Sequence, residues 1–148
     1  MPFRPRFAKV LSHVFGGPEV RDRAERLKLP DAGHGYDQFG MHPDFVALGE
    51  TIGQGLYDRY FRVQSYGVEH IPSSGPAILA ANHSGTIPVD GAMLWVDVLR
   101  NSNPPRAARP IADYFVSTLP YVSSLFARCG VVGGSKWPSR VPCQGLGA

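Results

Sequence analysis

The spacing of apolar residues divides the chain into an N-terminal helical half and a C-terminal half of mixed character. Apolar side chains that recur every three or four positions predict three amphipathic helices, over residues 5–15, 18–28 and 43–61. The first predicted helix begins at Pro5 and ends at a Gly-Gly-Pro sequence. Residues 31–40 are polar and rich in glycine, and this composition predicts a loop between the second and third helices.

Four short segments of the C-terminal half are predicted strands: residues 63–68, 77–81, 109–112 and 129–132. Residues 77–81 are uniformly apolar, as expected of a strand buried on both faces of a parallel sheet. The predicted fold class is therefore α/β, with N-terminal helices followed by a partial, mostly parallel sheet and its covering helices. A hydrophobic content of 43% is sufficient for a core.

Candidate chemistry follows directly after the predicted strand 77–81, where Asn82 and His83 precede a turn of small residues. Pro88 suits the first turn of a helix, and this places Asp90 where the helix dipole favours a negative charge. In open α/β sheets, ligands bind at the carboxyl ends of the strands. An imidazole next to a carboxylate at such a position is typical of a general base, although a histidine at a strand end can also serve only to cap a loop.

The sequence Asn82-His83-Ser84-Gly85 followed by Asp90-Gly91, set after Gly67-Val-Glu-His-Ile-Pro72, resembles the first signature block of the glycerolipid acyltransferase superfamily, of the lysophosphatidic acid type. In that family a His–Asp pair deprotonates an acceptor hydroxyl, which attacks an acyl thioester. The resemblance implies that His83 is the catalytic base and Asp90 its partner, while Asn82, Ser84 and Gly85 shape the turn and contact substrate. Six residues separate His83 from Asp90, as in some bacterial members, whereas four is the usual number.

A second stretch, from Leu119-Pro120-Tyr121-Val122 to Gly130-Val-Val-Gly133, resembles the second block of the same family. The resemblance implies that Pro120 and Gly130 help to form the acceptor site. It covers about residues 57–134 and predicts a partial acyltransferase domain there, after a helical region at 1–56 and before an irregular tail at 135–148. The Phe-Pro-Glu-Gly type of third block is absent, and this absence predicts a truncated acyltransferase fold. The alternative is a naturally short, flexible terminus.

The resemblance implies acyl transfer from an acyl-CoA or acyl-carrier-protein thioester to a glycerolipid or glycerol phosphate hydroxyl in phospholipid biosynthesis, without a further cofactor. The alternative is a non-catalytic truncated fragment or a membrane-binding module. Other chemistries lack their motifs. There is no Gly-x-Ser-x-Gly elbow, the glycine and lysine spacing near the C-terminus does not form a phosphate-binding loop, and the five histidines lack metal-ligand spacing.

Positive charge is concentrated at the N-terminus. Residues 1–28 hold seven Lys/Arg and three Asp/Glu, a net charge of +4, whereas the rest of the chain holds eight and nine, a net charge of −1. The apolar residues of the first predicted helix are Phe7, Val10, Leu11, Val14 and Phe15. Such a helix either lies on an anionic membrane or packs on the domain, and the sequence leaves both open.

No nucleic-acid-binding motif accompanies the basic residues, so nucleic acid is not an expected partner. No run of 18 apolar residues occurs, and this predicts that the chain has no transmembrane helix. The N-terminus lacks the apolar core and cleavage site of a secretory signal. The expected location is therefore cytoplasmic, with peripheral attachment to the inner face of a membrane as a further possibility.

Overall fold

The computed structural model describes residues 5–83 and 88–134 of the chain. The helices and strands in this part follow the order α1 (Pro5–Phe15), α2 (Gly17–Arg26), α3 (Pro43–Gly55), α4 (Val89–Asn101), β1 (Ile111–Ala112), α5 (Tyr114–Thr118), α6 (Val122–Arg128) and β2 (Val132–Gly133). A π-helical turn (Leu56–Tyr60) extends α3, and a 3-10 turn (Val68–His70) lies between it and α4. The three predicted N-terminal helices are confirmed. The predicted tail at 135–148 lies outside the described residues.

Small side chains bring α1 close to α3. Ala8 and Ser12 are buried on the inner side of α1, where Ala8 joins a cluster with Phe45 and Leu48 of α3. At the end of α1, a Cβ atom added to Gly16 would lie 2.5 Å from Oγ1 of Thr51, so only glycine permits this approach. The contact between the two helices therefore relies on small residues of α1, with Leu11 packing against the same cluster.

The main core lies between α3 and α4. A Cβ atom added to Gly53 of α3 would lie 2.6 Å from Cγ2 of Val96 on α4, which explains the glycine within a helix. The buried side chains of this cluster come from both halves of the sequence: Leu27, Met41, Val46, Tyr57, Met93, Trp95, Val96 and Leu99. Together they fix α4 firmly against the N-terminal helices.

A buried ion pair joins α2 to α3. The Arg23 guanidinium donates from Nε to Oε1 of Glu50 at 2.7 Å, and the Glu50 side chain is only 1% exposed. Burial raises the pKa of the Glu50 carboxyl above its ordinary value of 4.5, while the hydrogen bond and charge of Arg23 act in the opposite direction. Glu50 thus depends on Arg23 to carry its charge inside the protein.

The predicted loop at 31–40 is confirmed, and it is held in place by polar contacts. Asp37 is buried, accepts backbone hydrogen bonds from Phe39 and Met41, and pairs with Arg109 just before β1. His42 then begins α3, because its Nδ1 accepts a hydrogen bond from the backbone N–H of Asp44 at 3.1 Å. The loop therefore ties the start of α3 to the segment that carries the first strand.

The sheet is smaller than predicted. β1 and β2 run parallel in the register Ile111↔Val132 and Ala112↔Gly133, so the predicted strands at 109–112 and 129–132 are confirmed in part. The predicted strands at 63–68 and 77–81 are wrong. Ile78 is 96% exposed and Leu79 is 48% exposed. A central parallel strand needs neighbours on both edges and cover on both faces, and no described segment supplies them to residues 77–81.

Within residues 5–83 and 88–134, every helix is too short or too polar to cross a lipid bilayer.

Candidate active site

The structure brings the side chains of His83 and Asp90 together. Nδ1 of His83 lies 2.8 Å from Oδ1 of Asp90, which is hydrogen-bonding distance. Asp90 lies in the first turn of α4, whereas His83 belongs to a segment without helix or strand. The longer six-residue spacing is therefore compatible with a direct contact between imidazole and carboxylate.

This contact determines what the imidazole can do. A carboxylate oxygen only accepts hydrogen bonds, so Nδ1 of His83 must be the protonated nitrogen in this pair. Nε2 of the neutral ring is then the nitrogen with a free lone pair. A hydroxyl placed against Nε2 could lose its proton to the ring, and the Asp90 carboxylate would stabilise the imidazolium that forms.

Asp90 is oriented by the helix on which it lies. Its Oδ1 also accepts the backbone N–H of Gly91 at 2.8 Å, in the first turn of α4. Three side chains on the following turns of α4, Met93, Trp95 and Val96, are buried in the main core. The carboxylate is thus carried by a rigid element, which is the better support for a catalytic group.

The pair is open to solvent within the described part of the chain. The side chains of His83 and Asp90 are 54% and 41% exposed, and Asn82 is exposed as well. Ser84 and Gly85, the other predicted residues of this turn, lie outside the described residues. The described residues around this exposed base therefore contribute little to the positioning of a substrate.

Pro120 and Gly130 lie in the segments that flank α6. Pro120 is exposed in the turn between α5 and α6, whereas Gly130 is buried after α6. The φ angle of Gly130 is +97°, and a Cβ atom added there would lie 1.9 Å from Cε of Met41. The fold therefore gives Gly130 a packing reason to be glycine, and its part in substrate binding stays a prediction.

Arg106 is a residue that the sequence did not single out. Its guanidinium donates to the carbonyl oxygens of Pro72 and Gly75, the latter at 2.6 Å. Its backbone N–H donates at 2.9 Å to Oγ of Ser102, just beyond α4. Arg106 thus anchors the start of the segment that leads to His83. The sequence around Arg106, which follows two prolines, contains no pattern that predicts this role.

We expect Arg106→Ala to lower acyl transfer by about 10- to 100-fold, because small displacements of a catalytic group can cost that much. Arg106→Lys should be intermediate, since an ammonium group lacks the fork that spans two carbonyls. Steady-state rates and melting temperatures would be compared with those of Arg59→Ala, which changes an exposed arginine. A folded Arg106→Ala protein with the wild-type rate would contradict this role.

Other described features do not point to a competing site. A cavity of about 520 Å³ lies between α2 and the end of α4, away from the His83–Asp90 pair. Two of the arginines that line it, Arg23 and Arg100, are paired with Glu50 and Asp58. Across residues 5–83 and 88–134, no three His, Cys, Asp or Glu side chains converge as metal ligands. Within the described residues, His83 and Asp90 therefore form the candidate active site.

Comparison with known proteins identifies the family. A family model described as acyltransferase matches residues 62–136, which is 75 of the 148 residues. Uncharacterized proteins of Mycobacterium tuberculosis and Mycobacterium bovis are each 36% identical to the chain over 95 residues, and one of Mycobacterium leprae is 34% identical over the same length. These alignments cover 64% of the chain but 26% of each relative, so the chain spans about a quarter of their length. No solved structure gives a significant match. The family model covers half of the residues of the chain, and the chain therefore belongs to the glycerolipid acyltransferase family.

Proposed function

We propose that this protein transfers an acyl group from an acyl-CoA or acyl-carrier-protein thioester to a hydroxyl group of a glycerolipid or glycerol phosphate, as a step of phospholipid synthesis. The observation that supports the proposal most is the 2.8 Å contact between His83 and Asp90 in a chain of the acyltransferase family. The chain spans about a quarter of the length of its curated relatives.

In the proposed reaction the acceptor hydroxyl donates its proton to Nε2 of His83, and its oxygen attacks the carbonyl carbon of the thioester. The bond between carbon and sulfur then breaks, and the thiolate leaves with the proton that His83 took up. Asp90 holds the ring through Nδ1 and stabilises its positive charge between these two proton transfers. An ester and a free thiol are the products.

The direct test is release of free thiol from a long-chain acyl-CoA by the purified chain, with identification of the acylated product by mass spectrometry. Lysophosphatidate and glycerol 3-phosphate are the acceptors, and phosphatidate, which has no free glycerol hydroxyl, is the control. We expect slow release that depends on an acceptor hydroxyl. Release at the same rate without acceptor would indicate thioester hydrolysis and contradict the proposal.

A second candidate is a non-catalytic fragment of an acyltransferase. The observation that favours it is the exposure of the His83 side chain, 54%, because described residues do not surround it with groups that could hold an acceptor. Positioning of this kind can contribute about 7–11 kcal/mol to lowering a barrier. A thiol release rate equal to the rate without protein would favour this second candidate.

A further inference from the structure

The residues that lead from the π-helical turn to His83 have little packing of their own. We call residues 62–83 the connecting segment. It contains one 3-10 turn and no strand. A cavity of about 450 Å³ is lined on one side by residues around this 3-10 turn and on the other by Asn101 and Asn103, at the end of α4. Apolar packing therefore does not hold this part of the connecting segment, and polar contacts must set its path.

Asp97 of α4 makes one of these polar contacts. Its Oδ2 accepts a hydrogen bond from the hydroxyl of Ser65, near the beginning of the connecting segment, at 2.9 Å. Its Oδ1 accepts from the side-chain amide of Asn101 at 2.8 Å and from the hydroxyl of Tyr57. A single carboxylate thus joins α4 to the π-helical turn and to the segment that follows this turn.

The π-helical turn is fixed to α4 by more than this carboxylate. Tyr57 is buried, and its burial together with the hydrogen bond to Asp97 raises the pKa of Tyr57 to about 12. Its hydroxyl therefore keeps its proton near neutral pH and stays a donor. Arg100 lies over the ring of Tyr57, with its guanidinium carbon 5.1 Å from the ring centre, and pairs with Asp58 at 2.8 Å. The contact with Ser65 is thus what Asp97 adds for the connecting segment.

Asp97 and Asp90 lie on the same face of α4. Asp97 follows Asp90 by seven residues, which is close to two helical turns and about 10 Å along the axis. Asp97 binds Ser65 near one end of the connecting segment, and Asp90 binds His83 at the other. Arg106, beyond α4, holds two carbonyl groups between these ends. The connecting segment is therefore attached along α4 and the residues that follow it at three places.

The contact between His83 and Asp90 depends on the other two attachments. Both side chains are about half exposed, and an exposed ion pair contributes little to stability because solvent screens it. Fixing the backbone of a few residues costs more free energy than such a pair supplies. The pair therefore forms because the rest of the connecting segment is already held near α4.

We propose that Asp97 is a positioning residue for the base His83. It holds the beginning of the connecting segment through Ser65, so that the imidazole at the other end meets Asp90 with Nδ1. The importance of this role rests on the proposed acyl transfer, in which His83 is the base. The state of the imidazole can nevertheless be measured without any reaction.

The test is nitrogen NMR of the histidine rings in the isotope-labelled chain at about pH 8, where an ordinary imidazole is neutral. The signals of His83 are assigned by their loss in His83→Ala. In the wild type we expect the tautomer with the proton on Nδ1, because the Asp90 carboxylate accepts from that nitrogen. Ser65→Ala should lower the ratio of this tautomer to the other by about three- to tenfold, the effect of losing one hydrogen bond.

Three further variants make the result specific. Ser65→Thr keeps the hydroxyl and should restore the wild-type ratio of tautomers. The matched control is Ser74→Ala, which changes an exposed serine of the connecting segment and should leave the ratio unchanged. Asp97→Asn should act as Ser65→Ala does, and circular dichroism checks that each variant keeps its helices. A wild-type ratio in a folded Ser65→Ala protein would overturn the proposal, as would equal losses in Ser65→Ala and Ser74→Ala.

The rate of acyl transfer gives a separate measurement. Ser65→Ala should lower kcat by about the same factor as the tautomer ratio and leave KM for the acceptor unchanged, because the substitution affects the base and not binding. If no variant transfers acyl groups, the wild type included, the proposed function fails, and the tautomer ratio still decides the role of Asp97. An unchanged ratio in an active protein would remove Asp97 from this role and leave the proposed function intact.

Discussion

Replacement of His83 by alanine is expected to lower acceptor-dependent acyl transfer by about 10²- to 10⁴-fold, the usual contribution of a positioned general base. The reason is the 2.8 Å contact between Nδ1 and Asp90, which leaves Nε2 as the proton acceptor. Asp90→Asn should also lower the rate strongly, because an amide can donate to Nδ1 and stabilise the wrong tautomer. The measurement is thiol release from acyl-CoA in the presence and absence of lysophosphatidate.

The chain contains its own control for this experiment. Nε2 of His70 lies 3.9 Å from a carboxylate oxygen of Glu69, so this pair also combines an exposed imidazole with an acid. His70→Ala should leave the rate unchanged, since the pair lies on a 3-10 turn outside the signature blocks. Equal losses in the His70 and His83 variants would indicate a general effect on folding, and a wild-type rate for His83→Ala would remove His83 from the mechanism.

Replacement of Arg23 by methionine is expected to destabilise the fold by about 3–5 kcal/mol near neutral pH, because it leaves a buried charge without its partner. The Glu50 side chain is 1% exposed, and that of Arg23 is 16% exposed. Methionine keeps most of the apolar length of the arginine, so the effect reports mainly on charge. Denaturant unfolding followed by circular dichroism measures the free energy of unfolding directly.

The loss should depend on pH in a defined direction. Burial raises the pKa of Glu50 above 4.5 in the folded protein, so the folded state binds more protons than the unfolded one between these two values. The free-energy cost of burying the ionised Glu50 carboxylate is therefore absent below pH 4.5, and it grows as the pH rises through the raised pKa. Without Arg23 the pKa rises further, so the deficit of the variant should shrink as the pH is lowered toward 4.5.

Two further variants separate the buried pair from ordinary surface charge. Arg26→Met breaks a pair with Asp22 at 3.3 Å, in which the arginine side chain is 51% exposed, and should cost no more than about 1 kcal/mol. Glu50→Gln in the Arg23→Met background should recover part of the loss, because it removes the unpaired charge. If the Arg23 and Arg26 variants lose the same stability, burial of Glu50 is not the cause.

The sequence predicted α1 to α4 because their signals are local, whereas α5 and α6 were not predicted. Pro5 and Pro43 begin α1 and α3, and α4 carries its apolar residues at helical spacing. The strand at 77–81 could not be judged in this way. Its apolar residues fit a buried strand, but whether they pair depends on distant parts of the chain, and the described residues leave Ile78 exposed.

The candidate site was also predicted only in part from the sequence. His83 and Asp90 stand out in the sequence because both fall in one short motif, and the chain folds them into contact. Arg106 could not be found in this way, because its partners are carbonyl oxygens of Pro72 and Gly75. Every residue carries a carbonyl group, so the sequence holds no sign of which ones an arginine will bind.

Cys129 also gives the molecule a chemical reporter of its own motions. Its thiol donates to the carbonyl oxygen of Phe45 at 3.4 Å, and burial raises its pKa to about 12. The thiolate is the form that attacks an alkylating reagent, so modification of this sulfur should be slow while the contact holds and faster when α6 and the start of α3 separate. In a chain with Cys143 replaced by serine, the rate of alkylation therefore measures how often this part of the core opens, in the manner of hydrogen exchange but at one sulfur atom.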